Sequence, residues 1–420
     1  MSIRNQRLVL LIIVVLGALL RFINLGGQSL WLDEYTTLEV ARRSFGDILA
    51  GVGFDRHTPP LYYLLIHCWL QFFPENEFWL RAPSALFDVF NIFLVFIAAR
   101  ALLVVPCSIF AALLYAVSPF AIYYAQEARM YSLIIFLLLV SLLLFWRLLS
   151  IHWSKIEHLL FVLVAIAGCY THYYYCLFLA ALALLGFVVL RREQRKFVIW
   201  ALTLLIIGVS YLPWLQIVFA LVQSGGQHFR DHLWLVLPYT LFRFIYGYAV
   251  FPITQGYKAT AVAEILGRWW IFLPPVLFGA TAFMLGLRRG LSNGGRGFLV
   301  IWCPPLIVLL MAIGLSLKAP MLSERYLSTL FPFFLLILAN GSQSTVIRGA
   351  LLTTSLLGTI LYFVNEEYGK AQWREVGATI SSEVLRGDRL VVSPGYLSGV
   401  LSFYLRDTEP SSSLFSVEQR

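Results

Sequence analysis

Apolar stretches that are long enough to cross a membrane recur along almost the whole chain. A helix needs about 20 apolar residues to cross the hydrocarbon core of a bilayer, and shorter runs are tolerated where the bilayer thins. By that measure the sequence predicts an all-α, polytopic membrane protein with about eleven transmembrane helices. The predicted spans are residues 8–25, 82–101, 106–122, 131–148, 158–173, 175–190, 197–219, 269–287, 297–316, 326–341 and 349–365.

Charged residues are few and are unevenly distributed between the two predicted faces. The chain is 60% hydrophobic and 13% charged, with a formal net charge of +9. Cytoplasmic loops of membrane proteins carry an excess of Lys and Arg. If the N-terminus is cytoplasmic, the basic run 191–196 lies on the cytoplasmic face. Glu157 and Glu193 are then the only acids predicted on that face. The net charge therefore indicates topology, so membrane lipids and no nucleic acid are the predicted surroundings.

The polar segments divide the chain into a membrane domain and a short tail. Residues 1–365 form the predicted transmembrane domain, in which 28–81 is the first outer loop. Two apolar stretches, 61–73 and 233–253, are predicted as helices in the outer interface, because counting either one as a span would invert the orientation of everything after it. Residues 366–420 predict a small α/β segment. An odd number of spans places this segment outside the cytoplasm.

Two adjacent acids, Asp33 and Glu34, directly follow the first span. Neighbouring carboxylates that are partly desolvated raise each other's pKa, which suits one of them to act as a general base. Asp33 could instead cap the helix that follows, because acids favour helix N-termini. Both interpretations of this pair remain open from the sequence alone.

Three further polar clusters fall on the same predicted outer face. Glu127 and Arg129 lie between two apolar spans, where charge is costly and is usually functional or paired. A local ion pair among interfacial tyrosines is the structural alternative. His172 lies at the turn between two short spans, where it is a site residue or a hydrogen-bonded interfacial one. Lys318 and Arg325 could bind a phosphate or anchor the helix ends.

Several common catalytic and structural signatures are missing from the sequence. It contains no phosphate-binding GxxxxGK[ST] loop, no GxGxxG after a strand, no HExxH and no GxSxG. The five cysteines have no CxxC spacing and lie in apolar surroundings, so neither a disulfide framework nor a zinc site is predicted. The energy for any transfer reaction must therefore come with an activated substrate.

At these motifs the chain resembles integral-membrane glycosyltransferases of the GT-C type, in the branch related to protein O-mannosyltransferases and lipid A aminoarabinose transferases. The resemblance covers about the first 340 residues, and it is specific for the superfamily rather than for a substrate. It rests on Asp33, Glu34, the segment 57–63, the segment 81–86 that opens the second span, the segment 124–131, His172 and the segment 325–332.

The resemblance implies an inverting transfer of a hexosyl or pentosyl group from a polyprenyl-phosphate sugar to a lipid, glycan or protein acceptor. The site would face outward from a bacterial inner membrane. Asp33 matches the family's first-loop acid, the candidate base, with Glu34 beside it, and Glu127 would orient a hydroxyl group. His57, Arg129, Lys318 and Arg325 are candidate phosphate contacts; Tyr62, Tyr124 and His172 are the other candidate substrate contacts.

No cofactor is required by the spacing of the polar residues, although a divalent cation held by the loop acids and His57 stays open. A lipid or solute transporter or flippase is the alternative function; it predicts inverted repeats and ionisable residues near the bilayer midplane, whereas the ionisable residues here cluster at span ends. A non-catalytic sensor or scaffold is a third class, which needs no paired acids in an outer cavity.

Overall fold

The chain is almost entirely helical in a computed structural model that describes residues 2–51, 58–150, 154–223, 233–248, 267, 269–317, 322–365, 369–383, 389–405 and 413–416. The first half contains helices α1 (Ile3–Phe22), α2 (Leu32–Ala41), α3 (Phe45–Ala50), α4 (Leu61–Trp69), α5 (Glu77–Leu102), α6 (Val105–Ala116), α7 (Pro119–Ala125), α8 (Tyr131–Ser150), α9 (Lys155–Cys169) and α10 (Tyr173–Leu190).

The second half continues with α11 (Gln194–Gln223), α12 (Leu233–Tyr246), α13 (Trp269–Asn293), α14 (Gly295–Ser316), α15 (Phe331–Gly341), α16 (Thr345–Val364), α17 (Trp373–Glu383) and α18 (Ser398–Tyr404). Short 3-10 helices precede α15 and α18, at Tyr326–Leu330 and Gly395–Leu397. Two short parallel strands, β1 (Arg389–Val392) and β2 (Ser413–Ser416), pair in the tail.

Seven of the helices in the described part of the chain are long and apolar enough to cross a membrane: α1, α5, α8, α10, α11, α14 and α16. Helices α6 and α7 together form an eighth candidate, bent by 54°. Every predicted span coincides with a helix, but α9 and α15 are shorter than a full crossing. The predicted membrane architecture is confirmed, whereas the count of eleven spans stays a prediction.

A buried ion pair joins the first three membrane helices. Arg21 Nε on α1 donates to Asp88 Oδ2 on α5 at 2.7 Å, and both side chains are essentially inaccessible. Tyr115 on α6 donates to the other carboxylate oxygen at 2.6 Å, and Arg21 also donates to the Ala116 carbonyl at 2.8 Å. A buried pair is stable when such hydrogen bonds satisfy its remaining groups. This pair therefore fixes how α1, α5 and α6 pack.

Close helix contacts at glycine position the last part of the bundle. Gly286 on α13 faces the Ile337 carbonyl of α15, and Gly341 faces the Ala282 carbonyl. A Cβ atom at either glycine would overlap the opposing backbone. Small residues allow membrane helices to approach closely in this way. The contact holds the last two turns of α15 against α13.

The tail after α16 packs on the loop between α1 and α5. Arg374 on α17 donates to Glu77 Oε1 at 2.6 Å, and Tyr404 on α18 donates to the same oxygen at 3.0 Å. The Leu30 amide in turn donates to the Tyr404 hydroxyl at 2.6 Å. The tail is thus held at one end of the bundle, beside the helix that carries Asp33.

Replacing one member of the Arg21–Asp88 pair should be far more damaging than replacing both. Arg21→Met or Asp88→Leu leaves an uncompensated buried charge, which costs about 3–5 kcal/mol. We therefore expect either single variant to lower the Tm of the detergent-solubilised protein strongly, and the double variant to recover most of the loss. A double variant that is less stable than both single variants would contradict this role for the pair.

Candidate active site

Asp33 lies in the first turn of α2 and faces Arg325, which precedes the 3-10 helix before α15. Arg325 Nη1 donates to Asp33 Oδ2 at 2.8 Å, and the two side chains remain 38% and 31% exposed. The Arg325 guanidinium also lies over the Trp31 ring, 4.6 Å from its centroid. Two predicted site residues that are 292 positions apart in the sequence are therefore in contact at a solvent-accessible position.

Glu34, the neighbour of Asp33, points into the protein and is fully buried. Arg81 on α5 holds its carboxylate with two hydrogen bonds of 2.8 Å, Lys370 Nζ lies 3.1 Å from Oε1, and the Ala128 amide donates to Oε1 at 2.9 Å. Consecutive residues on a helix point in different directions, which separates the two acids. Asp33 is open to the site, and Glu34 ties α2 to three other segments.

The expectation that these neighbouring carboxylates raise each other's pKa is wrong for Glu34. Burial by itself would raise the pKa of Glu34, but the charges of Arg81 and Lys370, together with hydrogen bonds from Arg81 and the Ala128 amide, lower it to about 2. A carboxyl group with this pKa is ionised at neutral pH and is a poor proton acceptor. Of the three acids predicted as catalytic, Glu34 is the one whose contacts indicate a structural tie.

Lys370 is the site residue that the sequence did not reveal. Its side chain is 5% exposed, and Nζ donates to the Gln126 carbonyl at 2.7 Å as well as contacting Glu34. Burial and the nearby Arg81 charge lower the pKa of Lys370 to about 8, against the opposing effect of Glu34 and Glu127. No local pattern marks a single Lys after the last span, so only the position of the tail identifies it.

Glu127 lies in the turn between α7 and α8 and is 1% exposed. Burial raises the pKa of Glu127 to about 7, although the charges of Lys370 and Arg325 favour its ionised form. Its Oε1 atom accepts no hydrogen bond from the described residues. An unsatisfied buried carboxyl oxygen is unusual in native proteins and is often found at functional sites.

A cavity of about 500 Å³ opens beside Asp33, between α2 and the tail. One wall consists of Asp33, Tyr35, Thr36, Glu39 and Arg129, and the other of Gly395, Tyr396, Ser398 and Gly399, with Leu32 completing the lining. Arg129 is 5% exposed and reaches the Tyr63 hydroxyl at 3.3 Å. The cavity thus combines carboxylates, a guanidinium group, hydroxyl groups and aromatic rings.

Tyr62, Tyr124 and His172 do not present free surfaces to this cavity. The Tyr62 hydroxyl lies 2.7 Å from Ser84 Oγ, and the Tyr124 hydroxyl lies 2.6 Å from that of Tyr248; both rings are buried. His172 accepts a hydrogen bond from the Tyr174 amide through Nδ1, and burial lowers its pKa to about 3. All three side chains are buried in this structure, and their contact with a substrate stays a prediction.

Two predicted phosphate contacts, His57 and Lys318, lie outside the described residues. Within the ranges that the structure describes, no three Asp, Glu, His or Cys side chains are grouped closely enough to hold a metal ion. The described part of the site therefore consists of Asp33, Arg325, Glu127 and Arg129, supported by Glu34, Arg81 and Lys370.

Known proteins resemble this chain in part of its sequence and in its overall fold. Residues 57–216 match the family model described as dolichyl-phosphate-mannose-protein mannosyltransferase. ArnT from Cupriavidus metallidurans, solved with undecaprenyl phosphate, has a TM-score of 0.62 and 13% identity over 95% of this chain and 84% of ArnT. Without that ligand the TM-score is 0.63. No curated protein matches the chain by sequence.

The archaeal oligosaccharyltransferase AglB from Archaeoglobus fulgidus, solved with an inhibitory peptide and a dolichol-phosphate, shares the same architecture. Its TM-score is 0.53 at 12% identity, over 96% of this chain and 64% of AglB. The protein has the GT-C fold. This GT-C protein is an integral membrane protein, and its residues 57–216 are similar to protein mannosyltransferases, as the sequence motifs predicted.

Removing the titratable group of Glu127 should stabilise the GT-C protein in a pH-dependent way. The folded-state pKa of Glu127 is about 7, which lies above the ordinary value of 4.5. The stability that the neutral carboxyl group contributes to the wild type is therefore complete below pH 4.5, and it is lost as the pH rises through 7. Glutamine cannot ionise. We therefore expect the Tm of Glu127→Gln to exceed that of the wild type by an amount that grows between about pH 5 and about pH 8.

The exposed acid Glu375 on α17 provides the control. Glu375→Gln should change the Tm by a small amount that does not grow across the same pH range. If the Tm difference between wild type and Glu127→Gln is also independent of pH, then Glu127 is not the buried, nearly neutral carboxyl group described above.

Proposed function

We propose that the protein transfers a sugar from a polyprenyl-phosphate donor to a hydroxyl-bearing acceptor on the extracytoplasmic face of the membrane. The observation that carries this proposal is the Asp33–Arg325 contact beside the cavity. It places a carboxylate that can accept a proton within 2.8 Å of a guanidinium group that can bind a phosphate. The GT-C fold and the partial mannosyltransferase match support the same class of reaction.

The cavity between α2 and the tail is the proposed acceptor site. Its volume of about 500 Å³ lies in the range of small-ligand pockets, and Asp33 forms part of its wall. Glu39, Thr36 and Ser398 offer hydrogen-bonding groups, and Tyr396 is a largely exposed ring. These side chains suit an acceptor rich in hydroxyl groups whose reacting oxygen reaches Asp33.

Arg325 is the proposed contact for the donor phosphate, with Arg129 beside the cavity as a second positive group. A phosphate bound by Arg325 would compete with Asp33 for the same guanidinium group. Donor binding would therefore release Asp33 from its ion pair when a base is needed. Glu127, whose Oε1 accepts no hydrogen bond in the described part of the chain, is the proposed acceptor for a donor-sugar hydroxyl.

The proposed reaction is a single displacement at the anomeric carbon. The acceptor oxygen forms a bond to this carbon while the bond from the carbon to the phosphate oxygen breaks, and the electron pair leaves with the polyprenyl phosphate. Asp33 takes the acceptor proton, and Arg325 and Arg129 stabilise the phosphate charge. Attack from the face opposite the phosphate inverts the anomeric configuration.

Transport remains the alternative, and the buried Arg21–Asp88 pair is the feature most relevant to it. Ionisable groups inside a membrane bundle often mark a transport pathway. Here, however, Tyr115 and the Ala116 carbonyl complete the hydrogen bonding of the pair, which connects three helices. These contacts favour a structural role, and the charged groups with solvent access lie at the Asp33 cavity instead.

Asp33→Asn should abolish most sugar transfer while preserving donor binding. The amide keeps the shape of the carboxylate but cannot accept the acceptor proton, and removal of a general base costs about 10²–10⁴-fold in rate. The measurement is sugar release by protein in lipid vesicles, using a panel of radiolabelled polyprenyl-phosphate sugars and a membrane extract as acceptor source. Donor binding is measured separately with the same radiolabelled polyprenyl-phosphate sugars in the absence of acceptor.

Asp47→Asn is the matched control, because Asp47 is an exposed acid on α3 in the same loop and does not line the cavity. It should retain the wild-type rate. Equal activity of Asp33→Asn and wild type would remove Asp33 as the base. Movement of a lipid or solute by the wild type, without consumption of any sugar donor, would replace the transferase proposal with transport.

A further inference from the structure

Lys370 and Glu34 hold the backbone on both sides of Glu127. Lys370 Nζ binds the Gln126 carbonyl at 2.7 Å, which belongs to the peptide bond before Glu127. Glu34 Oε1 binds the Ala128 amide at 2.9 Å, which belongs to the peptide bond after it. Lys370 and Glu34 also contact each other at 3.1 Å. One ion pair therefore fixes both peptide bonds of Glu127, the residue whose Oε1 atom accepts no hydrogen bond from the described residues.

The position of Lys370 is set by contacts that do not involve its own ammonium group. Its amide binds Gln28 Oε1 at 3.3 Å, and the Arg374 amide binds Ser29 Oγ at 3.0 Å. The Arg374 side chain, paired with Glu77 at 2.6 Å, secures the next turn of the tail. The tail thus places the charged Lys370 side chain in the site from outside the membrane bundle. The contacts that attach the tail can be tested separately from the charge of Lys370.

Charged groups from three segments surround Glu127. Lys370 on the tail and Arg325 before α15 are positive, whereas Glu34 and Asp33 on α2 are negative. The neighbouring titratable hydroxyl groups are those of Tyr62, Tyr123, Tyr124, Tyr131 and Tyr362. Arg325 is paired with Asp33, so of the two positive groups near Glu127 it is Lys370 that also contacts Glu34.

We propose that Lys370 is a positioning residue of the site, which enters from the tail, fixes the turn that carries Glu127, and brings a positive charge to this turn. The role of the Glu127 carboxylate in sugar transfer rests on the proposed function, whereas its geometry and ionisation do not. The tail would then contribute a residue to the site. A protein without the tail would keep its membrane helices, but the turn that carries Glu127 would no longer be fixed.

Infrared titration of the full-length protein tests this proposal directly. The absorbance of the protonated Glu127 carboxyl group is assigned by its loss in Glu127→Gln, and its midpoint is compared between wild type and variants. Lys370→Met keeps the length of the side chain but removes the charge, so the midpoint should rise by about 1–3 pH units. Lys370→Arg should restore a midpoint close to that of the wild type.

Arg374→Met is the matched control, because it removes a positive charge from the same tail, but one that pairs with Glu77. It should lower the Tm and leave the Glu127 midpoint unchanged. If sugar transfer is established, the acid limb of its pH profile should move to higher pH with the Glu127 midpoint in Lys370→Met, and it should not move in Arg374→Met.

An unchanged midpoint in Lys370→Met, or an equal shift in Arg374→Met, would overturn the role of Lys370. The first result would show that the ammonium group does not act on Glu127, and the second that any loosening of the tail has the same effect. Absence of sugar transfer by the wild type would remove the proposed function, while the infrared midpoint would still decide the proposal for Lys370.

Discussion

The buried cluster of Glu34, Arg81 and Lys370 is the interaction on which the site depends. It joins the first loop, the second membrane helix and the tail around one carboxylate, with contacts of 2.8 to 3.1 Å. Burying an ion costs several kcal/mol unless partners replace its hydration. Arg81 meets this requirement because it also donates to the Leu25, Gln28 and Ser29 carbonyls. The cluster therefore gives a loop the rigidity that an active site needs.

The surroundings of the site give different roles to Asp33, Glu34 and Glu127, three acids that the sequence alone does not distinguish. Glu34 is ionised and enclosed, Asp33 is accessible and paired with Arg325, and Glu127 is buried with a pKa raised to about 7. Environment, rather than residue type, commonly divides carboxylates between structural and chemical tasks. In our proposal Asp33 takes the proton, Glu34 keeps the surrounding groups in place, and Glu127 accepts a hydrogen bond from a donor-sugar hydroxyl.

The sequence predicted the helices well, because long apolar runs are local signals, and the charges at the ends of these runs are local signals too. Asp33, Glu127 and Arg325 stood out in that way, and the structure places them within one charged site. The direction in which Glu34 points, and the burial of Tyr62 and Tyr124, depend on packing between distant segments. Lys370 meets Glu34 only because the tail folds back on the first loop, for which no local pattern exists.

The most direct test of the account is a structure of the protein with undecaprenyl phosphate in a lipid nanodisc. The account predicts that the phosphate lies within hydrogen-bonding distance of the Arg325 guanidinium, and that the Asp33–Arg325 contact of 2.8 Å is broken so that Asp33 faces the cavity. A phosphate bound elsewhere, with the Asp33–Arg325 contact intact, would contradict the proposal that donor binding releases the catalytic base.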